Sequence, residues 1–283
     1  MWVLKTNNFD AWRDQARLLL KAGVEPNQVC WNSELQPSLL YENSASLEQL
    51  AVKHSELRIP KQFFSLAKSA SHYRCHTRWA LLYRIAWRLV FDDRRLLTNP
   101  VDDDIRCLHK MCKTVGREIH KMHAFVRFQK VPDASLESGE RFVAWFEPGH
   151  PVLPAGIHFF VKRFHNMHWS LLTPDHCAHW NLEQLTIGDG VHQKPNTTDE
   201  LEDLWLTYYK SIFNPARLKS KAMQSEMPKK YWRNLPEAAL IPELEQSARQ
   251  RTARMIDQGY SDDWQKTAKS RYVQKAQEKL RRR

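Results

Sequence analysis

Histidine, arginine and glutamate side chains that could carry acid–base chemistry cluster near the middle of the chain. They lie in two short segments, GREIHKMHAFVRF and FEPGH: His120, His123, Arg127, Glu147 and His150. Imidazoles exchange protons near neutral pH, and a neighbouring carboxylate can orient them or accept a proton. We therefore predict these five residues as candidate catalytic residues.

Arg127 stands out because it interrupts an apolar stretch, FVRF, that we expect to form a strand. Two interpretations stay open. The guanidinium could pair with a buried acid, for which Glu147 is the candidate, or it could face an anionic ligand from one side of the sheet.

Further histidine pairs have the spacing of metal ligands, in His165-x-x-His168 and His176-x-x-His179. A complete zinc signature is absent, however. Histidines that contact phosphate or lie at the ends of helices would explain the pattern equally well. We expect neither a metal nor a cofactor.

A second candidate site is the basic and aromatic stretch at 214–237, NPARLKSKAMQSEMPKKYWRNLPE. Its predicted nucleic-acid-binding residues are Arg217, Lys219, Lys221, Lys229, Lys230, Tyr231, Trp232 and Arg233. Cations neutralise phosphates, and an exposed aromatic ring can stack on an unpaired base. In the alternative interpretation, Trp232 and Leu235 anchor the segment to a core while the lysines are solvated.

Composition narrows the class of protein. The net charge is +11 and the isoelectric point about 9.5, which favours a polyanionic partner. The five cysteines include no Cys-x-x-Cys pair, which argues against a disulfide framework or an iron–sulfur cluster. The chain contains no apolar run of membrane-spanning length and no visible signal peptide. We expect a cytoplasmic protein with no membrane association.

Common catalytic signatures are also missing. The sequence contains no P-loop, no G-x-G-x-x-G, no G-x-S-x-G and no H-E-x-x-H. With only eight glycines, a glycine-rich phosphate loop is not expected.

Hydrophobic periodicity predicts an α+β fold that is predominantly helical, with a small mixed or antiparallel sheet around residues 125–188. Helices are expected after Asn8, from Ser46, from Pro60, over 75–91, after the cap Asn99, from Pro154, from Thr197 and over 239–257. Strands are expected at WVLK, VCW, FVRFQKV, RFVAWFEP, MHWSLLTP and AHWNLEQLTIG.

This order predicts one α+β domain over residues 1–257, followed by a basic C-terminal tail, 258–283. The last twenty residues carry eight cations and one acid, a net charge of +7.

Several motifs resemble a bacterial family assigned to DNA metabolism or DNA repair and classed as a domain of unknown function. The resemblance covers about residues 1–257 and rests on LLYRIAWRL, HKMHAFVRF, FVAWFEPGH, WSLLTPD, DLWLTYYKSIFNPARL and MPKKYWRNLPEA. In some relatives this domain precedes a uracil-DNA-glycosylase-like domain, and others are encoded beside a radical SAM protein. This chain has no glycosylase-like loop or cluster cysteines, so glycosylase activity is not implied.

The resemblance and the charge together lead to one expectation and two alternatives. We expect a DNA-binding protein that acts in DNA repair or DNA modification, as an accessory to a radical SAM or glycosylase-type enzyme, with DNA favoured over RNA. The first alternative is an enzyme acting on a nucleobase or nucleotide through the His/Arg/Glu residues. The second is a protein-interaction subunit.

Overall fold

The computed structural model describes residues 1–32, 47, 50–136, 138–194 and 220–257. Contacts within the chain divide it into two compact units, Met1–Glu200 with Arg233–Leu235, and Leu201–Trp232 with Pro236–Arg283. The basic tail, 258–283, and the helix expected from Thr197 lie outside the described residues.

The first unit combines helices and two sheets, as the α+β prediction requires. Its helices are α1 (Phe9–Ala22), α2 (Lys61–Ser71), α3 (Arg78–Phe91), α4 (Asp103–Phe125), α5 (Leu153–Gly156) and α6 (His158–Arg163). Its strands are β1 (Trp2–Lys5), β2 (Val29–Asn32), β3 (Gln129–Pro132), β4 (Glu140–Trp145), β5 (Trp169–Leu172), β6 (His176–Trp180) and β7 (Leu185–Asp189).

In the second unit the described elements are helical: α7 (Ser220–Glu226), α8 (Ile241–Asp257) and the 3₁₀ helix Pro236–Leu240. Another 3₁₀ helix, Lys229–Asn234, contributes residues to both units. The basic and aromatic stretch is therefore largely helical where it is described, and the helix predicted over 239–257 is confirmed within two residues.

The two sheets differ in size and in strand direction. Strands β1 and β2 form a parallel pair that aligns Trp2 with Val29. The other five strands lie in the order β3-β4-β5-β6-β7. Only the β4–β5 pair is parallel in this sheet, and the other neighbours are antiparallel. The predicted mixed sheet is confirmed.

The core of the helical layer is rich in tryptophan. Trp12 of α1 stacks on Trp79 of α3 with ring centroids 6.0 Å apart, and its indole N–H donates to the Trp79 carbonyl. Trp31 of β2 packs on Tyr83, whose hydroxyl donates to the Val24 carbonyl at 2.6 Å. Burial raises the pKa of Tyr83, so this hydroxyl stays protonated as a donor.

Helix α4 begins later than predicted. Asp102, not Asn99, is its N-cap, and the Asp102 carboxylate accepts from the backbone N–H groups of Asp104 and Ile105. Asn99 instead accepts from Val101 N in the preceding turn. A run of three aspartates offers several possible caps, and the one that reaches two N–H groups wins.

Three other expectations about the elements were wrong. Helix α4 continues to Phe125, so Arg127 lies between that helix and β3 and not within a strand. AHWNLEQLTIG forms parts of two strands, β6 and β7, because the chain turns at residues 181–184. Residues 50–54 form bends and irregular chain, where the helix expected over SLEQLAVKH would have continued.

Candidate functional site

The exposed side of α4 carries a continuous row of basic side chains. We call it the basic face, and its exposed members are Arg106, His109, Lys110, Lys113, Arg117 and His120. Their spacing of three or four residues places them on one side of the helix. From Arg106 to His120 the row is about 21 Å long at 1.5 Å per residue.

The opposite side of α4 fixes this orientation. Ile105, Leu108, Met111, Val115 and Met122 are buried there. Since these residues must face the core, the intervening polar residues are forced outward. The basic face is thus a consequence of the same periodicity that buries the opposite side of α4.

Few acids within α4 itself offset the charge of the basic face. Between residues 105 and 125 the only acid is Glu118, and its Oε2 accepts from Gly149 N at 3.1 Å. Arg106 forms an exposed ion pair with Asp103, N to O 3.3 Å, at the N-terminal end. Lys110, Lys113 and Arg117 therefore form the most cationic part of the row.

The predicted nucleic-acid segment is only partly exposed. Lys229 and Lys230 are exposed, whereas Tyr231 is only 1% exposed. A buried ring cannot stack on a base, so the expected stacking role of Tyr231 does not fit this structure. Trp232 is half-buried, and its indole N–H donates to Met227 O at 2.9 Å.

Other members of that segment differ in how they are placed. Arg233 forms an ion pair with Glu147. Lys221 lies in α7, while Arg217 and Lys219 lie outside the described residues. Lys229 and Lys230 are thus the exposed lysines of the segment that the structure describes, and their ammonium groups lie 5.9 Å from the Trp232 ring and 4.6 Å from the Tyr231 ring, respectively.

Four of the five candidate catalytic residues make contacts of their own, and the fifth, His120, is exposed on the basic face. The His123 Nε2 lies 2.9 Å from Gly156 O, and its ring stacks on Phe159 at 4.2 Å. Arg127 donates to the carbonyls of Ala124 and Val126, which end α4.

Glu147 and His150 belong to the loop after β4, which is held by several contacts. Glu147 accepts from the Trp145 indole at 2.8 Å, in addition to its pair with Arg233. The Nδ1 of His150 accepts from Arg74 N at 3.0 Å. These contacts give the residues structural roles in the loop, and their catalytic role stays a prediction.

Arg74 is the main clamp of this loop. Its guanidinium donates to Gly149 O at 3.1 Å and to both carboxylate oxygens of Asp175, at 2.7 and 2.6 Å. One side chain thereby joins the end of α2, the loop after β4 and the turn between β5 and β6. Sequence reasoning missed Arg74 because its partners are about 75 and 101 residues away.

One histidine of the pairs with metal-like spacing, His179, makes a hydrogen bond within the sheet. His179 Nδ1 lies 2.8 Å from Ser170 Oγ on the neighbouring strand. Burial lowers the pKa of His179, which favours its neutral form. Within the described parts of the chain, no three His, Cys, Asp or Glu residues are arranged to hold a metal ion.

One family comparison bears on these residues. The sequence pattern of DUF4130, a domain of unknown function, matches residues 76–237. The chain belongs to the DUF4130 family. No curated protein and no solved structure matches it significantly.

The DUF4130 match spans the elements that carry both candidate sites. It includes the basic face of α4, the five-stranded sheet and the segment with Lys229 and Lys230. Of the helices that the structure describes, none is both long and apolar enough to cross a membrane.

Proposed function

We propose that this DUF4130 protein binds nucleic acid through the basic face of α4. The observation that supports this proposal is the row of exposed cations and histidines on a single helix side, about 21 Å long. Duplex DNA presents a negative charge every ~1.7 Å of its axis, so several phosphates lie within reach of such a row. Lys229 and Lys230, in the second unit, are a separate candidate for phosphate contact.

The proposal extends to a role in DNA repair or DNA modification. Its support is the sequence resemblance to DNA-repair proteins, in which the related domain accompanies glycosylase-like or radical SAM proteins. DNA is preferred to RNA on the same ground. In this role the chain binds the substrate while a partner enzyme performs the chemistry.

A neutralised basic face tests the proposal. We expect the variant Lys110→Gln/Lys113→Gln/Arg117→Gln to bind a labelled DNA duplex about 10–100-fold more weakly. Each lost phosphate contact reduces the number of counterions that are released from the DNA on binding. Fluorescence anisotropy at one low salt concentration measures the change. Duplex RNA and single-stranded DNA in the same assay determine the preferred nucleic acid.

A matched control separates the basic face from total charge. Lys53, Lys61 and Arg94 are exposed cations elsewhere on the first unit, and Lys53→Gln/Lys61→Gln/Arg94→Gln removes the same charge. This control should lose much less affinity. Equal losses in the two triple variants would show that only net charge matters, and unchanged binding in the α4 variant would refute the proposal.

The basic segment is tested independently with Lys229→Gln/Lys230→Gln. If the α4 face is the principal site, this variant binds more tightly than the α4 triple variant. A larger loss in the Lys229/Lys230 variant would move the principal site to that segment.

A further inference from the structure

A cleft of about 630 Å³ lies within the first unit, away from the basic face. Its walls come from the starts of α1 and α3, the end of α2, the middle of α4, the 151–158 segment and β6. Val115 and Ile119 line it from the opposite side of α4 to the basic face. None of the five candidate catalytic residues lines this cleft.

His72, just after α2, has a defined role in this cleft. Its Nδ1 lies 3.0 Å from the carbonyl oxygen of Pro151. A carbonyl oxygen only accepts, so Nδ1 carries the proton, and in the neutral ring Nε2 is left as an acceptor.

The surroundings keep this imidazole neutral. Burial is the largest cause that lowers the pKa of His72, and the nearby charges of His176, Lys68 and Arg78 lower it further. The hydrogen bond to Pro151 acts in the opposite direction but is weaker than burial. A neutral, oriented His72 can therefore accept a hydrogen bond or a proton from a bound molecule.

Lys68, Trp79 and His176 are polar residues that line the same cleft. Lys68 is exposed and forms no ion pair with the residues that the structure describes. The indole nitrogen of Trp79 and the Nδ1 of His176 are buried, and neither has a hydrogen-bond partner in the described structure. Buried polar atoms of this kind normally have a partner. The indole N–H of Trp79 can only donate, whereas Nδ1 of His176 donates or accepts according to its tautomer.

The start of α3 adds a favourable field for an anion. The N-cap Thr77 makes no side-chain hydrogen bond to this 14-residue helix, and its first turn contains no acid. Arg78 and Trp79, the first helical residues, line the cleft. The Arg78 N–H donates to Cys75 O at 3.4 Å, so the favourable field comes from the helix dipole and the other N–H groups of the first turn. The cleft's carboxylate, Asp10, is paired with Arg13 at 3.1 Å.

We propose that this cleft binds a phosphomonoester, with the phosphate held by Lys68 and the start of α3 and a hydroxyl or N–H of the ligand donating to His72 Nε2. The volume suits a molecule larger than inorganic phosphate, since ligand pockets of about 300–1,000 Å³ enclose whole small molecules. The ligand is either a free phosphorylated metabolite or the 5′-phosphate end of a nucleic-acid strand. This function is separate from duplex binding by the basic face.

A titration with thymidine 5′-monophosphate, using thymidine as the control lacking phosphate, tests the proposal on the full chain. Calorimetry gives the affinity, and the side-chain nitrogen resonances of His72 and His176 report the position of the ligand. We expect saturable binding of the monophosphate with a dissociation constant below about 1 mM, and shifts at both histidines. Thymidine should bind at least about tenfold more weakly.

Two lysines of α2 provide the matched variants. Lys68→Met should weaken binding of the monophosphate about tenfold or more, as expected for the loss of a charge-assisted contact. Lys61→Met, on the same helix but outside the cleft, should leave it unchanged. His72→Asn should also weaken binding of the monophosphate, while its circular dichroism spectrum should match that of the wild type.

A 5′-phosphorylated trinucleotide distinguishes the two ligand sources. Binding of the trinucleotide but not of the monophosphate, with loss in Lys68→Met, would identify a strand end as the ligand. If neither probe shifts the histidine resonances, or if Lys68→Met binds both as tightly as the wild type, the proposal is refuted. The α4 triple variant should retain monophosphate binding. The proposal for the cleft and the proposal for the basic face can therefore fail independently of each other.

Discussion

Gly188 and Gly190 lie two residues apart but differ in the space that is available for a side chain. A Cβ on Gly188, within β7, would meet no heavy atom within 4 Å. A Cβ on Gly190 would collide with the backbone of Pro174 and would lie 2.6 Å from the carbonyl carbon of Asp175. Backbone atoms cannot rotate away as the end of a side chain can, so the turn between β5 and β6 would have to move.

We therefore expect Gly190→Ala to lower the free energy of unfolding by about 1–3 kcal/mol, the usual cost of overpacking. Gly188→Ala is the control and should change it by less than about 0.5 kcal/mol, as at an open site. Urea denaturation followed by tryptophan fluorescence measures both. Equal stabilities of the two variants would contradict the close approach at Gly190.

At the residue scale, the sequence indicated candidate functional residues but not the residues that contact them in the fold. His123, Arg127 and Glu147 were predicted as members of one catalytic group from their residue types and positions in the chain. In the fold each of them has its own contacts. Their partners, such as Gly156 for His123 and Arg233 for Glu147, depend on long-range packing. No local pattern encodes a contact across 33 residues or more.

The junction between α3 and α4 shows how ion pairs position an element. Arg84 donates to both oxygens of Asp104, at 3.0 and 2.6 Å, and Arg88 donates to Asp102 and Asp104. Asp102 also caps α4, so the same carboxylate fixes the start of the helix and its attachment to α3. This network sets the direction in which the basic face points.

These contacts make the junction sensitive to acid. The hydrogen bond from Arg84 is the largest cause that lowers the pKa of Asp104, and that from Arg88 lowers the pKa of Asp102. A carboxyl group whose pKa is lowered by folding stabilises the native state above its unfolded pKa, near 4. That contribution is lost as the pH falls through the lower folded-state value.

Asp104→Asn tests the junction. We expect a loss of about 1–2 kcal/mol in the free energy of unfolding at pH 7, reduced by solvent screening because Arg84 is half exposed. The difference from the wild type should shrink below about pH 4, where Asp104 becomes protonated in the unfolded chain. Denaturation at a series of pH values measures this.

Asp103→Asn is the control for that variant. Asp103 is the preceding residue, its side chain is 90% exposed, and its described partner is Arg106 at 3.3 Å. Its replacement should change stability by less than about 0.5 kcal/mol at any pH. A pH-independent loss in Asp104→Asn would argue against a role for the charge.

At the element scale, local signals predicted most helices and strands. Asn8 and Gly23 begin and end α1 as capping chemistry requires, with Gly23 in the left-handed region at φ 69°. Strand order was not predictable, because the parallel pairing of β4 with β5 joins strands separated by α5 and α6. The basic face was visible as cations three and four residues apart, but only the burial of the other side of α4 assigns it to the surface.

At the scale of the whole molecule, the charge is large and unevenly placed. The net charge of +11 would attract any polyanion at long range, whatever its shape. A surface row such as the basic face would add direct contacts with a fixed number of phosphates, which long-range attraction does not provide. The number of phosphates contacted, and not the total charge, determines how steeply affinity falls with salt.

Salt dependence therefore provides a quantitative test. The logarithm of the association constant for a DNA duplex should fall linearly with the logarithm of salt concentration, with a slope of about −0.9 per contacted phosphate. If Lys110, Lys113 and Arg117 each contact one phosphate, their triple replacement by Gln should make the slope shallower by about 2–3. The Lys53/Lys61/Arg94 control should keep the wild-type slope even where its affinity is slightly lower. Anisotropy titrations at four or more salt concentrations give both slopes, and parallel lines for the wild type and the α4 variant would mean that the basic face does not contact the backbone of the duplex.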